Sequence, residues 1–505
     1  MSTDGLDPAQ HSLGDMSPAD FRAHGHRVVD WIADYLEGVG ELPVLSRVAP
    51  GEVRGRLPDH PPTEPEPIDR MLDDLDEILL PGITHWNHPA FHAYFAITGS
   101  GPGILGEALS AAFNVNGMLW RTSPSATELE ETVVDWLRQL LGLGDGLRGI
   151  ILDTASMATM VALAAAREQA DLDVRQRGLA GRPDLPLLRI YTSQDAHSSV
   201  EKAAIALGLG RDGVRLVPTD DQYRMDPEAL AAAVREDVRF GYRPIAIVPT
   251  VGTTSTTAID PVGAIADLRD ELVAELGHDL WLHVDGAYGA MAAVSPRLRW
   301  VLDGVERADS LVTNPHKWLF TPIDCSVLLL REPQALTRAF TLVPDYLAED
   351  DGEVTDYMNW GVQLGRRFRA LKLWMVLRYF GARGLAERID HHVAQARRVA
   401  AWVHEHPDLV QAAPAPLSTV CFRAEPDWVT VDTSPEEDEP APDPYDELNS
   451  RWLEQINASG EALLSHTRID GRLVLRLALG SLHTTDERLE ATLEALDHTL
   501  RTLAP

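Results

Sequence analysis

The sequence predicts an α/β fold: a mainly parallel central sheet with flanking helices, a helical N-terminal segment, and a small α+β C-terminal domain. Three observations predict it. Strand-like apolar runs at residues 188–192, 245–248 and 280–284 alternate with helical stretches at 157–172 and 227–234, the pattern of βαβ units. Asp309-Ser310-Leu311-Val312-Thr313 and the apolar run 325–330 flank Asn314-Pro315-His316-Lys317-Trp318, which places that lysine at a strand-to-strand turn. After Phe380-Gly381 the texture changes to helix, strand-like 418–422, an acidic stretch, helix, and strand-like 473–477. The expected divisions are residues 1–99, 100–380 and 381–505.

In the N-terminal segment, Ser17-Pro18-Ala19-Asp20 reads as a helix start, with a capping serine, proline at the first helical position and an acid at the third. Phe21, Val28, Ile32, Tyr35 and Leu36 then recur at helical spacing. Such a helix has no core of its own and must pack on something else. Proline-rich sequence at 58–67 separates it from the next helix.

A chain of 505 residues can bury a large core. Its two cysteines, Cys325 and Cys421, are too few for a disulfide framework, and no apolar run spans a membrane. The start, Met1-Ser2-Thr3-Asp4-Gly5, lacks the basic and apolar parts of a signal peptide, so a cytoplasmic protein is expected. A formal charge of −33 argues against nucleic acid or an anionic membrane as partner. Part of that charge lies at 425–447, which carries no Lys or Arg and reads as a solvated loop.

Chemistry enters with two motifs. His283-Val284-Asp285-Gly286-Ala287-Tyr288 follows the apolar Leu280-Trp281-Leu282 and puts an acid at the carboxyl end of a strand. Ligands of open α/β sheets sit outside those ends, so Asp285 and Lys317 can face one crevice. Pyridoxal phosphate needs such a pair: its aldehyde takes a lysine as a Schiff base, and a buried carboxylate keeps its ring nitrogen protonated. Thr154-Ala155-Ser156, between apolar 150–152 and a helix, offers N–H groups and a favourable dipole to a phosphate.

These motifs belong to an ordered series: Phe21-Arg22, Trp31-Ile32-Ala33-Asp34-Tyr35, His85-Trp86, Ala93-Tyr94-Phe95, Ser123-Pro124, Thr127-Glu128-Leu129-Glu130, His197-Ser198-Ser199-Val200-Glu201-Lys202-Ala203, Gly252-Thr253-Thr254 and Leu364-Gly365-Arg366-Arg367-Phe368-Arg369. The series resembles the group II pyridoxal-phosphate decarboxylases, and within them the aromatic L-amino-acid decarboxylases, over nearly the whole chain. The resemblance implies a fold type I enzyme that decarboxylates an aromatic L-amino acid, a small-molecule substrate, acting as a homodimer with shared sites and with the N-terminal helix on the partner subunit.

It also implies residue roles. Lys317, Asp285, His197 and Tyr346 are the catalytic positions, with His197 stacking on the ring and Tyr346, in a mobile loop, returning a proton to Cα. Ala155, Ser156, Thr254, Ala287, Asn314, His316 and Gly365 match cofactor contacts, Gly365 from either subunit. Relatives that make aldehydes replace the loop tyrosine by phenylalanine or the stacking histidine by another residue; this chain keeps both, so an amine product is expected, with an aldehyde synthase or a glutamate-type decarboxylase as alternatives. Trp86, Tyr94, Phe95, Ala96, Ile97, Met118 and Trp120 match or adjoin the substrate pocket. Ala96 and Ile97 stand where animal enzymes have Pro and Thr, and Met118 where they have Phe, which leaves the choice among tyrosine, dihydroxyphenylalanine, tryptophan, 5-hydroxytryptophan and phenylalanine open. Met157 stands where the family often has an acid.

His85, His88 and His92 lie close enough in sequence to be weighed as metal ligands. Pro89 interrupts their helical spacing and no cysteine or carboxylate pair completes a site, so no metal is expected.

Overall fold

The computed structural model describes residue 10 and residues 13–342, 354–429 and 443–505. Seven strands form the central sheet: β1 (Arg148–Leu152), β2 (Leu187–Ser193), β3 (Val214–Val217), β4 (Tyr242–Val248), β5 (Trp281–Asp285), β6 (Ser310–Thr313) and β7 (Ser326–Leu330), in the order β1-β7-β6-β5-β4-β2-β3. All neighbours pair in parallel except at β7, which is antiparallel to both β6 and β1. Two reversals restore direction, so β1 runs with β2 to β6 and their carboxyl ends share one edge. The expected mainly parallel sheet is what forms. Lys317, expected on a turn, sits in a one-turn helix, Pro315–Trp318, because Pro315 takes the first helical position.

Both faces of the sheet are covered, so its strands read as unbroken apolar runs. One face packs under helix Ala155–Gln169, where Ala158, Val161, Ala162 and Ala165 meet Ile190, Ala246, Trp281 and Leu328. The other packs against helices Pro124–Leu140 and Val262–Leu276 through Val133, Leu137, Ile265 and Leu272.

A second sheet is antiparallel, in the order β10-β11-β9-β8, from β8 (Leu409–Gln411), β9 (Thr419–Ala424), β10 (Ser465–Ile469) and β11 (Arg472–Ala478). Helices Asp446–Ser459 and Asp486–Thr502 bury Trp452, Ile456, Leu489 and Leu496 against it. The element that reaches it from the large sheet, Ala370–Glu405, is broken at Gly381 (φ 65°, ψ 166°), a left-handed φ that glycine takes without steric cost. The ends of the acidic stretch are pinned: the buried Arg423 lies 3.2 Å from Glu425 and 2.5 Å from Asp443. Residues 430–442 lie outside the described residues.

The N-terminal helix runs Pro18–Gly38, with the Ser17 side chain accepting from the Asp20 N–H as its sequence foretells, and none of its residues is buried. Trp31 stacks on Tyr35, whose hydroxyl meets His85 Nδ1 at 2.9 Å. No helix among the described residues is long and apolar enough to cross a membrane.

Candidate active site

The shared edge holds a cavity of about 190 Å³, compact beside the ~300–1,000 Å³ of pockets that take drug-sized ligands. Five of the seven strands lead into it. β2 leads to His197, β4 to Thr250, Gly252 and Thr254, β5 to Asp285, Ala287 and Tyr288, and β6 to Asn314, His316 and Lys317; Thr154, Ala155 and Ser156 enter from the helix after β1, and Phe95 closes one wall. Nine positions singled out for the cofactor, and Phe95 from the substrate set, thus line one cavity.

Asp285 is the last residue of β5. Its N–H donates to Pro249 O and its carbonyl accepts from Val251 N–H, which clamps it between strand ends. Oδ1 accepts from Ala287 N–H at 3.1 Å, so the carboxylate is aimed before any ligand arrives. Gly252 (φ 86°) sits beside it, where a Cβ would stand 2.9 Å from the Gly289 nitrogen; glycine is required on both counts.

Lys317 Nζ lies 5.1 Å from the Phe95 ring centroid. Burial pushes its pKa below the ordinary lysine value, Asp285 opposes that shift, and the Arg476 cation adds to it. The neutral, nucleophilic amine is thereby favoured. A wall of stacked rings flanks it: Phe95 on Tyr288 at 3.7 Å and Tyr288 on Trp318 at 4.8 Å. Trp318 is held by its indole N–H donating to His392 Nδ1 at 3.0 Å. The stack excludes water where a charge on lysine would need it.

Two imidazoles are fixed in tautomer. His197 Nδ1 accepts from Ser199 N–H at 3.1 Å and His316 Nδ1 accepts from Cys325 N–H at 2.9 Å, so each presents Nε2–H. Both are held neutral, chiefly by burial, with Lys317 adding to the shift in each and His316 pushed down to about 3. Asn314 Oδ1 accepts from the Ser326 hydroxyl at 2.6 Å, which leaves its amide N–H group to donate. The N–H groups of Ala155 and Ser156 precede the first helical bond, Ala158 N–H to Thr154 O, and face outward as an anion cradle. A lysine, a clamped acid and a row of free N–H donors fit pyridoxal phosphate.

The other sequence-marked positions lie elsewhere. Trp86 and Tyr94 line a separate cavity of about 570 Å³ with Phe91, Leu463 and His466. Ala96 is buried with its Cβ near Gly480, and Ile97 is half-buried. Met118 lies with Gly365 on one patch, tied through Gly117 N–H to Arg366 O and Arg366 N–H to Asn116 Oδ1, both 2.9 Å; Trp120 nearby donates to Glu128 at 2.9 Å. Tyr346 lies outside the described residues. His85, His88 and His92 take separate partners, Tyr35, Ala90 N–H and Ala478 O. Among the described residues no three His, Cys, Asp or Glu side chains form a metal-binding cluster.

Sequence reasoning missed Thr154, Thr250, Gly252 and Tyr288 as cavity walls, although Thr154, Gly252 and Tyr288 stood inside recognised motifs. It also missed Arg476. This buried cation on β11 lies 4.5 Å over the Phe95 ring and donates to Tyr94 O and Ser255 O. Its signal was a lone arginine inside an apolar strand run.

The parallel sheet, with a lysine and an acid at its carboxyl edge, defines a fold type I pyridoxal-phosphate enzyme. Residues 50–425 match the pyridoxal-dependent decarboxylase conserved domain, and the chain belongs to that family. It is 38% identical to tyrosine decarboxylase 4 of Petroselinum crispum over 97% of this chain and 95% of that one. It is also 38% identical to a phenylacetaldehyde synthase of Arabidopsis thaliana, over 95% of each. Among solved structures, Oryza sativa TDC with PLP and tryptamine superposes with a TM-score of 0.90 at 36% identity, covering 98% of this chain and all of the other. The chain is thus a pyridoxal-phosphate-dependent amino-acid decarboxylase.

Proposed function

We infer that the chain decarboxylates an aromatic L-amino acid to the corresponding amine and carbon dioxide. The observation that carries this is the convergence of Lys317, Asp285 and His197 on one cavity walled by Phe95 and Tyr288. Bound pyridoxal phosphate supplies the electron sink that lets the carboxylate leave from Cα. Lys317 Nζ would be its covalent anchor, and Asp285 would hold the proton on the ring nitrogen. The Ala155 and Ser156 N–H groups, Asn314 and His316 hold the phosphate. His197, a neutral imidazole on the cavity wall, would stack on the cofactor ring. Phe95 and Tyr288 keep water from the reacting carbon, and Tyr346 returns a proton to it.

The aldehyde-forming relative carries a second reading, an aromatic acetaldehyde synthase; retention of His197 and Tyr346 favours the amine. The test is a panel of tyrosine, dihydroxyphenylalanine, tryptophan, 5-hydroxytryptophan, phenylalanine and glutamate, with amine, aldehyde and peroxide quantified. Amine from an aromatic substrate is expected. Aldehyde with peroxide would overturn the amine reading, and amine from glutamate alone the aromatic one.

The working form is a homodimer that shares its sites. Supporting this, the Pro18–Gly38 helix buries no residue in its own chain, and helix Gly101–Phe113 exposes Leu105 and Leu109 at helical spacing and then Phe113. The Met118 and Gly365 patch is apart from the chain's own cavity, so a second copy can bring it there. Sedimentation of the wild type and of Phe113→Glu tests this: a dimer is expected for the first and monomers with lost activity for the second. The charge of −33 disfavours nucleic acid and anionic membranes as partners; a cytoplasmic location is a separate part of this reading, checked by cell fractionation.

A further inference from the structure

Behind Asp285 lies a second, fully buried polar chain that the reaction does not account for. β5 places Trp281, His283 and Asp285 on one face, under helix Ala155–Gln169, because side chains alternate along a strand. Ser310 is the register partner of His283 on the neighbouring β6. Its hydroxyl lies 2.8 Å from the Trp281 indole nitrogen and 2.8 Å from His283 Nδ1.

The direction of this chain follows from donor chemistry. An indole N–H only donates, so Ser310 Oγ accepts from Trp281. The single serine proton is satisfied by donation to His283 Nδ1. That fixes the imidazole as the tautomer with its proton on Nε2. His283 is 0% exposed, and Nε2 has no hydrogen-bond partner among the described residues. Burial keeps the ring neutral, lowering its pKa to about 4, and Asp285 is the charge whose field reaches it. An indole, a hydroxyl and an imidazole in series, each oriented by the one before, end on one buried donor.

Residues two apart on a strand stand ~6.6 Å apart. No direct hydrogen bond joins His283 Nε2 to the Asp285 carboxylate, so a link between them takes one bridging water. We propose that His283 is a positioning residue for Asp285, its Nε2–H donating through one buried water to the carboxylate and holding it aimed at the cofactor's ring nitrogen. Trp281 and Ser310 serve this role by setting the tautomer. The inference rests on the reading of Asp285 as partner of that nitrogen.

The experiment measures the affinity of the apoenzyme for pyridoxal phosphate by absorbance titration, with apoenzyme melting followed in parallel. The same titration is run with the 1-deaza analogue, whose ring has carbon in place of nitrogen. His283→Phe is expected to weaken pyridoxal phosphate roughly tenfold, on the scale of other outer-shell losses, and to leave the analogue unchanged. His283→Gln, which keeps an N–H donor, is expected to recover most of the loss. In an Asp285→Asn background His283→Phe is expected to change nothing further. Ser310→Ala frees the tautomer and also takes the acceptor from the Trp281 indole N–H; it gives a smaller loss of the same selectivity, which keeps the test open should His283→Phe fail to fold. Equal losses for both ligands, or a loss that persists beside Asp285→Asn, would overturn the proposal. If Asp285→Asn binds pyridoxal phosphate as the wild type does, the assignment of Asp285 itself falls; if only Asp285→Asn loses affinity, the site stands and His283 has no part in it.

Discussion

Lys372 lies 2.9 Å from Glu107 and 3.9 Å from Asp324, whereas Lys317 has the Phe95 ring at 5.1 Å and no carboxylate within ion-pair distance among the described residues. Burial lowers the pKa of both. At Lys372 Cys325 and Asp324 oppose that shift, and the ion pair with Glu107 ties helix Gly101–Phe113 to helix Ala370–Glu405. At Lys317 an aromatic wall leaves the charge without a partner. Two lysines whose pKa burial lowers are therefore a strut and a nucleophile, and the distinction lies in what stands within 4 Å.

The sharpest way to break this contrast is to exchange the losses. Lys317→Ala is expected to cut amine release by at least about a thousandfold and to abolish the visible band of the bound cofactor, while Lys372→Met keeps the band. A band that survives Lys317→Ala would end the assignment. Lys372→Met is instead expected to destabilise the fold. Breaking a fully buried pair costs ~3–5 kcal/mol, but Glu107 and Asp324 are about a third and a quarter exposed, so ~1–3 kcal/mol is expected in urea unfolding. A change below about 0.5 kcal/mol would place Lys372 among ordinary surface charges.

Tyr346→Phe sharpens the role given to the site around Lys317. The amine share of product is expected to fall about tenfold, or ~1.4 kcal/mol, with aldehyde and peroxide rising; an unchanged product ratio would remove Tyr346 from proton return. The smallest effect concerns His316, whose pKa burial, then Lys317 and, more weakly, Lys372 push down to about 3. The unfolded chain takes up this proton near 6.5 and the folded chain does not, so stability is full above about 6.5 and declines as pH falls toward 3. Between pH 8 and pH 6 the loss from this group is ~0.8 kcal/mol. His316→Asn should flatten that part of the pH profile, measured by unfolding at the two pH values.

Much of the molecule was legible because its signals are local. The cap at Ser17, the helix start at Thr154-Ala155-Ser156 and the acid at the end of 280–284 all act within a few residues. A parallel sheet then brings strand ends to one edge whatever the loops do, which is why Asp285, His197, Asn314 and Lys317 met as expected. Trp86 and Tyr94 did not join them. Their motif runs through a segment whose path is set by packing on Leu463 and Ser465, and no periodicity predicts such a contact. Gly365 and Met118 likewise stand apart within one chain.

The sequence by itself determined the fold class, the family's lysine and acid, and the order in which strand ends deliver them. Only the tertiary structure decided which lysine is bare. It also set Arg476 over Phe95 at 4.5 Å, with a hydrogen bond to Tyr94 O at 2.6 Å, and stacked Phe95, Tyr288 and Trp318 into one wall. The physical reason is distance along the chain: backbone propensity and alternation act over a few residues, while desolvation and charge act through space between residues hundreds of positions apart.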